Sequence, residues 1–341
     1  MSIKIAILGS GANGASIGAD LTLAGLDVVL IDQWAEHVIN MRSNGITIEM
    51  PDETLNVPVR AYHLSDIATF SETFDIVLLL MKTYDTRWSC HLIEPHLKSG
   101  GLLAGVQNGM TTEIIADVVG PERTMGCVIE ISSMMFEPGI VQRHSPPQRS
   151  WFAVGGIVPS TQKRSEEIAC LLRHSGSVEI ANNIQAVKWM KLISNTTTLV
   201  STALLGLPLQ EAASIPEMRS LMINSGQEAL DLGIGLGHSV QPIFGLSPED
   251  MRSTNNLVDS LLDRLIAGFV LPDTKTTVLQ DWIKGRRSEA EDLNGLIVQE
   301  SERLGLTAPV NSAILEISQR IERGELCPGL DKLSLLRNLL K

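Results

Sequence analysis

Aromatic residues make up only 4% of the 341-residue chain, too few for a base-stacking platform on single-stranded nucleic acid. A basic surplus is missing as well. Asp and Glu outnumber Lys and Arg 39 to 27, the formal net charge is −12, and both halves of the chain are acidic. Neither nucleic acid nor an anionic membrane surface is therefore expected as a partner. The four cysteines (Cys90, Cys127, Cys170 and Cys327) stand far apart with no CxxC pair. That fits neither a disulfide framework nor a zinc-ligand set, and reduced thiols in a cytoplasmic protein are the expectation. The seven histidines form no HxxxH or HxH pair, so no metal site is expected. No run of about 18 uninterrupted apolar residues offers a membrane span. At the start, Lys4 interrupts a short apolar run that soon turns glycine-rich, unlike a signal peptide.

What is present is a globular composition, 44% hydrophobic and 19% charged, at a length that predicts two domains. Residues 3–8 are a β-branched apolar run, Gly9-Ser10-Gly11-Ala12-Asn13-Gly14 follows at once, and 15–24 are small and apolar. A second apolar run, 28–31, ends on Asp32. Strand, glycine-rich turn, helix and strand make a parallel βαβ unit. Further strands are predicted at 75–81, 101–106 and 124–131, with helices at 83–97 and 111–119. Two short pieces, 140–143 and 151–154 around Pro146-Pro147, predict a hairpin at the sheet edge. A helix at 162–175 and a strand at 178–180 complete this half. Beyond Asn182 strand signals nearly vanish, and helices are predicted at 184–204, 209–232, 248–269, 288–304 and 310–323. The expected fold class is a Rossmann-type doubly wound α/β sheet followed by an all-α carboxy-terminal domain. The domains expected are 1–181 for dinucleotide binding and 182–341 for substrate and dimerisation.

The glycine turn lies where a dinucleotide site needs it, directly after a strand and opening a helix. Gly9 permits the tight turn, Gly11 lets the backbone approach a pyrophosphate, and Gly14 lets helix pack on strand. Ala12 and Asn13 stand between them at a helix N-terminus, whose unpaired N–H groups suit phosphate. Asp32, closing the second strand, can accept from the adenosine ribose hydroxyls and repel a 2′-phosphate. Gln33 and Trp34 supply no Arg for such a phosphate, so NAD(H) is favoured over NADP(H), which stays open. In an open parallel sheet ligands sit beyond the carboxyl ends of the strands. Lys82 and Asn108 stand at two such ends. In the helical half, Lys191 and Asn195 share a helix face with Lys188 nearby; spacing alone reads as a solvated polar stripe.

With these segments in place, the sequence resembles the ketopantoate reductase family (2-dehydropantoate 2-reductases). The likeness runs through ILGSGANG, MKTYDT, QNG, KWMKLISN and TTVLQDWIKGRRSEAEDLNGLI, in order and over nearly the whole chain. It implies an NAD(P)H-dependent reduction of a 2-oxo acid to a 2-hydroxy acid, the pantothenate pathway and a homodimer. It further implies that Lys191 is the general acid and that Glu289 helps hold substrate and lysine. By the same likeness Asn108 orients substrate near the nicotinamide, Thr277 binds the substrate carboxylate, Asn195 contacts substrate, and Lys82 lies beside the cleft. Three departures bear on the substrate. Leu199 and Thr274 stand where the family commonly has asparagines, and IEISSMMFEPGIVQRHSPPQ replaces a glycine-rich, His-containing stretch. These changes leave open whether the 2-oxo acid is ketopantoate or a different one. Two rival readings remain: an opine-type or other 2-hydroxy acid dehydrogenase using His144 or His238, and a non-enzymatic NAD(H)-binding regulator.

Overall fold

The computed structural model describes residues 3–252 and 256–341. The chain divides into two compact units, Met1–Gln185 and Ala186–Lys341. In the first, the strands are β1 (Lys4–Leu8), β2 (Asp27–Asp32), β3 (Ile46–Glu49), β4 (Thr54–Val57), β5 (Arg60–His63) and β6 (Phe74–Leu79). They continue with β7 (Leu97–Val106), β8 (Thr124–Glu130), β9 (Ser133–Glu137), β10 (Ile140–Arg143), β11 (Trp151–Gly156) and β12 (Ser177–Ile180). Among the described residues an eight-stranded sheet runs β12-β11-β8-β7-β6-β1-β2-β5, parallel except where β11 meets β8.

The central strands read as unbroken apolar runs because both faces of the sheet are covered. Ile5, Ile7, Leu30, Ile76 and Leu78 feed one buried cluster. Their neighbours Ala6, Leu8, Ile31, Val77 and Leu79 feed another. That alternation is the pleat expressed in packing.

The expected edge hairpin of 140–143 with 151–154 does not form. β10 joins a separate four-stranded sheet, β4-β3-β10-β9, whereas β11 lies inside the main sheet. Arg143 explains the parting of the two strands. Its guanidinium is fully buried and donates to Asp20, to the Ser145 and Ser175 carbonyls and to Ser150 Oγ. The chain bends at Pro146-Pro147 around that anchor instead of folding back on β10. Strands β3, β4, β5 and β9 had no counterpart in the sequence reading, each being only four or five residues long.

The second unit is helical among its described residues, and the division falls inside the helix Ile184–Ala203. The helix expected at 209–232 is two, Leu209–Ala213 and Pro216–Gly235, because Pro216 suits a first turn and cannot continue one. That expected at 248–269 is Pro248–Arg252 and Leu257–Phe269, with 253–255 outside the described residues. The helix expected from 288 starts only at Asn294. Helices Thr277–Ile283 and Asp331–Leu339 went unread in the sequence. No helix among the described residues is long and apolar enough to cross a membrane.

Candidate active site

Each glycine of the turn meets a separate steric demand. Gly9 has φ +97°, and a Cβ there would lie 2.7 Å from the Leu80 carbonyl carbon. At Gly14 a Cβ would stand 2.0 Å from the Gly9 carbonyl oxygen, so helix Ala12–Leu23 leaves its strand only if this residue has no side chain. Gly11 differs: a Cβ there would meet nothing within 4 Å. It caps the helix with no side chain satisfying the first N–H groups. A close-packed turn with open space at its middle glycine, at a helix N-terminus, is a cradle that fits a pyrophosphate.

The turn is held from both sides. The Gly9 N–H donates to the Ile31 carbonyl (2.9 Å), and the Ser10 N–H donates to Asp32 Oδ2 (2.7 Å). Asp32 Oδ1 accepts from the Trp34 N–H (2.8 Å), and the carboxylate stays 8% exposed. The buried His37 joins in. The Gly139 N–H donates to its Nδ1 (2.9 Å), so Nε2 carries the proton and donates to the Ser10 carbonyl (2.9 Å). Ser133 Oγ donates to Asn13 Oδ1 (2.6 Å) and fixes that amide. Neither His37 nor Ser133 was legible as a site residue, since Gly139 and Asn13, their partners, lie about a hundred positions away in sequence.

Lys82 and Asn108 follow the adjacent strands β6 and β7, and both are half-buried. The two strand ends are joined, because Thr83 Oγ1 donates to the Asn108 carbonyl (3.2 Å). Gln107 Nε2 donates across to the Met81 carbonyl (2.6 Å). On the other side of β6 the Leu80 N–H donates to the Leu8 carbonyl (2.8 Å), just before Gly9. The glycine turn, Lys82 and Asn108 thus crown three neighbouring strands, where the sheet's connections reverse direction.

In the helical unit the solvated-stripe reading gives way. Lys188, Lys191 and Asn195 are all buried, Lys191 being only 7% exposed. Its ammonium lies 5.0 Å from the centre of the Phe244 ring. The helix that carries them is seated by two glycines of Pro216–Gly235. A Cβ at Gly226 would lie 2.2 Å from Thr197 Oγ1, and one at Gly233 2.0 Å from Trp189 Nε1. Trp189 donates to the Ala229 carbonyl (3.0 Å) across that contact. A buried polar network adds registry. Asn294 Nδ2 and Ser225 Oγ both donate to Asn311 Oδ1, and Asn311 Nδ2 donates to Glu228. Ser225 Oγ also lies within hydrogen-bonding distance (3.1 Å) of the Thr196 carbonyl. Buried networks of this kind help specify one arrangement of helices, although Asn294 Oδ1 accepts no hydrogen bond among the described residues.

Glu289 is buried in the turn before the helix Asn294–Arg303, not in its first turn. Its neighbour Asp292 is pushed up to about 6, first by burial and then by the Glu289 charge. Thr276 caps the helix Thr277–Ile283 and donates to the Leu199 carbonyl (2.9 Å). Thr277 Oγ1 beside it is buried and makes no hydrogen bond among the described residues. Thr274 Oγ1 accepts from the Leu271 N–H (2.9 Å), which gives it a loop-closing part. His238 lies flat on Trp189 with centroids 4.6 Å apart, and burial lowers its pKa.

A glycine cradle at the switch point of a parallel sheet, followed by a helical unit, defines the Rossmann-type dinucleotide-binding class. The family model for Ketopantoate reductase PanE/ApbA matches residues 5–155, and that for its C-terminal part matches 183–322. The chain belongs to the ketopantoate reductase family, whose members act on a keto or CH–OH group. The 2-dehydropantoate 2-reductase of Archaeoglobus fulgidus is 22% identical over 323 residues, 94% of this chain and 98% of the relative. Two solved structures share the fold. A ketopantoate reductase of Ralstonia eutropha JMP134 superposes with TM-score 0.78 at 24% identity, over 95% of this chain and 99% of that one. A D-mandelate dehydrogenase, in a ternary structure with NADH and anilino(oxo)acetate, gives 0.82 at 20%, over 94% and 99%.

Proposed function

We propose that the chain reduces a 2-oxo acid with an apolar body to the 2-hydroxy acid, with NADH preferred. When bound, the reduced nicotinamide supplies hydride to the keto carbon. The cradle of Gly9, Gly11, Ala12, Asn13 and Gly14 would hold its pyrophosphate, and Lys82 and Asn108 would flank the ring and substrate. As hydride arrives, charge develops on the keto oxygen, and Lys191 stabilises it and gives the proton. Glu289 and Asn195 hold substrate and lysine, and the Thr277 hydroxyl takes the substrate carboxylate. The burial of Lys191 carries this reading, because a long cation kept from water needs a reason. The unpartnered Thr277 hydroxyl supports it, being a buried donor awaiting an acceptor.

The substrate class follows from Leu199 and Thr274. Leu199 offers a substrate hydroxyl no partner, and the Thr274 hydroxyl is already engaged at Leu271. An apolar pocket of this kind favours the apolar-bodied acid by roughly 10–100-fold over a hydroxylated isostere. The preference for NADH follows from Asp32, each of whose oxygens keeps an acceptor position beyond its one backbone bond. A panel of 2-oxo acids with NADH and NADPH, followed by loss of reduced-nicotinamide absorbance, tests both statements. Turnover of ketopantoate above every apolar-bodied acid would refute the substrate reading. Binding of NADH without turnover of any acid would leave the regulator.

A further inference from the structure

The loop between Pro216–Gly235 and Pro248–Arg252 holds a feature that the reading above does not use. Phe244 has φ +60°, the sole non-glycine residue with positive φ among the described residues. A bulky side chain in the left-handed region is an outlier, and such strain persists only where the surroundings over-determine it. Here they do. Gly245 continues the left-handed turn at φ +71°, the Leu246 N–H closes it on the Ile243 carbonyl (3.1 Å), and Arg264 Nε donates to the Phe244 carbonyl (3.1 Å). The ring packs against Phe269, centroids 5.5 Å apart, and is 1% exposed. Glycine would make this turn without strain, so the turn alone does not account for a phenylalanine. What the ring contacts does: the Lys191 ammonium sits 5.0 Å from its centre, within cation–π range.

We propose that Phe244 is a positioning residue that fixes the Lys191 ammonium over its ring for proton delivery. The proposal rests on Lys191 being the proton donor. A lysine head is a point charge on a flexible four-carbon stem, and a ring face held by the strained loop gives it one fixed contact. The electron-rich ring face attracts the positive charge of the ammonium and so favours one place for it. Strain in the loop keeps the face where the head must be.

Five variants of the 341-residue chain test this: Phe244→Gly, Phe244→Leu, Phe244→Tyr, Lys191→Ala and the double variant Phe244→Gly/Lys191→Ala, with steady-state kinetics and NADH titration. Gly keeps the turn and Leu keeps apolar bulk, but both lack the ring face. Each is expected to lower kcat about 30-fold, the scale of a desolvated cation–π contact, with KM and the NADH Kd within about twofold. Tyr restores the face and is expected within about threefold of the parent. Placed in the Lys191→Ala background, Phe244→Gly is expected to change kcat no further. Parental kcat in both Gly and Leu variants overturns the proposal, as does an equal loss with and without Lys191, which would mark packing. A Tyr variant as impaired as Gly overturns it too. Lys191→Ala on its own judges the donor assignment: parental turnover there sinks that reading, whereas collapse there beside silent Phe244 variants sinks only this proposal.

Discussion

Lys191, Asp32 and Asp292 show how one side chain's surroundings decide its part. Lys191→Ala is expected to lower kcat by about 10²–10⁴, the range for a lost general acid, with NADH affinity retained. Single-turnover mixing with NADH measures this directly. Asp32 combines a structural task with the proposed choice of cofactor, since its two oxygens tie Ser10 and Trp34 while facing the cradle. Asp32→Ala should therefore lower the NADH/NADPH ratio of kcat/KM and also cost about 1–3 kcal/mol from the two stranded N–H groups. An unchanged ratio beside a lowered Tm would leave Asp32 a purely structural residue. Asp292 gives a pH dependence. Its pKa rises from the ordinary 3.8 of an aspartate to about 6, by burial first and the Glu289 charge second. The folded state thus binds this proton more tightly than the unfolded chain does. That contribution to stability is full below the unfolded pKa and is lost as pH rises through about 6. Asp292→Asn should raise Tm at pH 8, and the gain should shrink to nothing as pH falls toward 4. Melting curves across that range decide it, and a gain independent of pH would contradict the assignment.

Among the elements, the pair Ile184–Ala203 and Pro216–Gly235 is the one on which the proposed donor depends. Gly226 and Gly233, one heptad apart, let the second helix close on Thr197 and Trp189. Neither neighbour can swing away freely, because Thr197 Oγ1 donates to the Ile193 carbonyl and Trp189 is bonded to Ala229 and stacked on His238. Gly233→Ala gains helix propensity, roughly 1 kcal/mol, yet the overpacking it forces costs about 1–3 kcal/mol and more where the neighbour is pinned. The net expectation is a lower urea midpoint with the m-value unchanged. A raised midpoint would mean that Trp189 relaxes easily. Elements were legible where the pattern was long and local. The first βαβ unit could be read residue by residue, because a glycine-rich turn, the apolar runs on either side of its helix and a closing Asp are all short-range signals. The 140–143 and 151–154 strands were read as strands but paired wrongly. Their partners depend on Arg143 reaching Asp20, a contact between residues 123 positions apart.

On the scale of the whole molecule, exposed large apolar side chains occur in both units, and those of the helical unit include Ile234, Ile283, Leu304, Leu306 and Leu330. We propose that they are covered in a homodimer. Light scattering after size exclusion is expected to give twice the chain mass, and Tm should rise with protein concentration. A single-chain mass at micromolar concentration would reject this. By itself the sequence determined the order of the longer elements, the change from strand-rich to helical character and the cofactor turn, because each follows from periodicity and backbone sterics over a few residues. Only the tertiary structure decided that Lys188, Lys191 and Asn195 are buried and not a wetted stripe, that Thr277 keeps a hydroxyl in reserve while Thr274 spends its own on a loop, and that Phe244 lies against the lysine. Periodicity names the face on which a residue lies. What covers that face is fixed by packing between distant segments, and no local pattern encodes it.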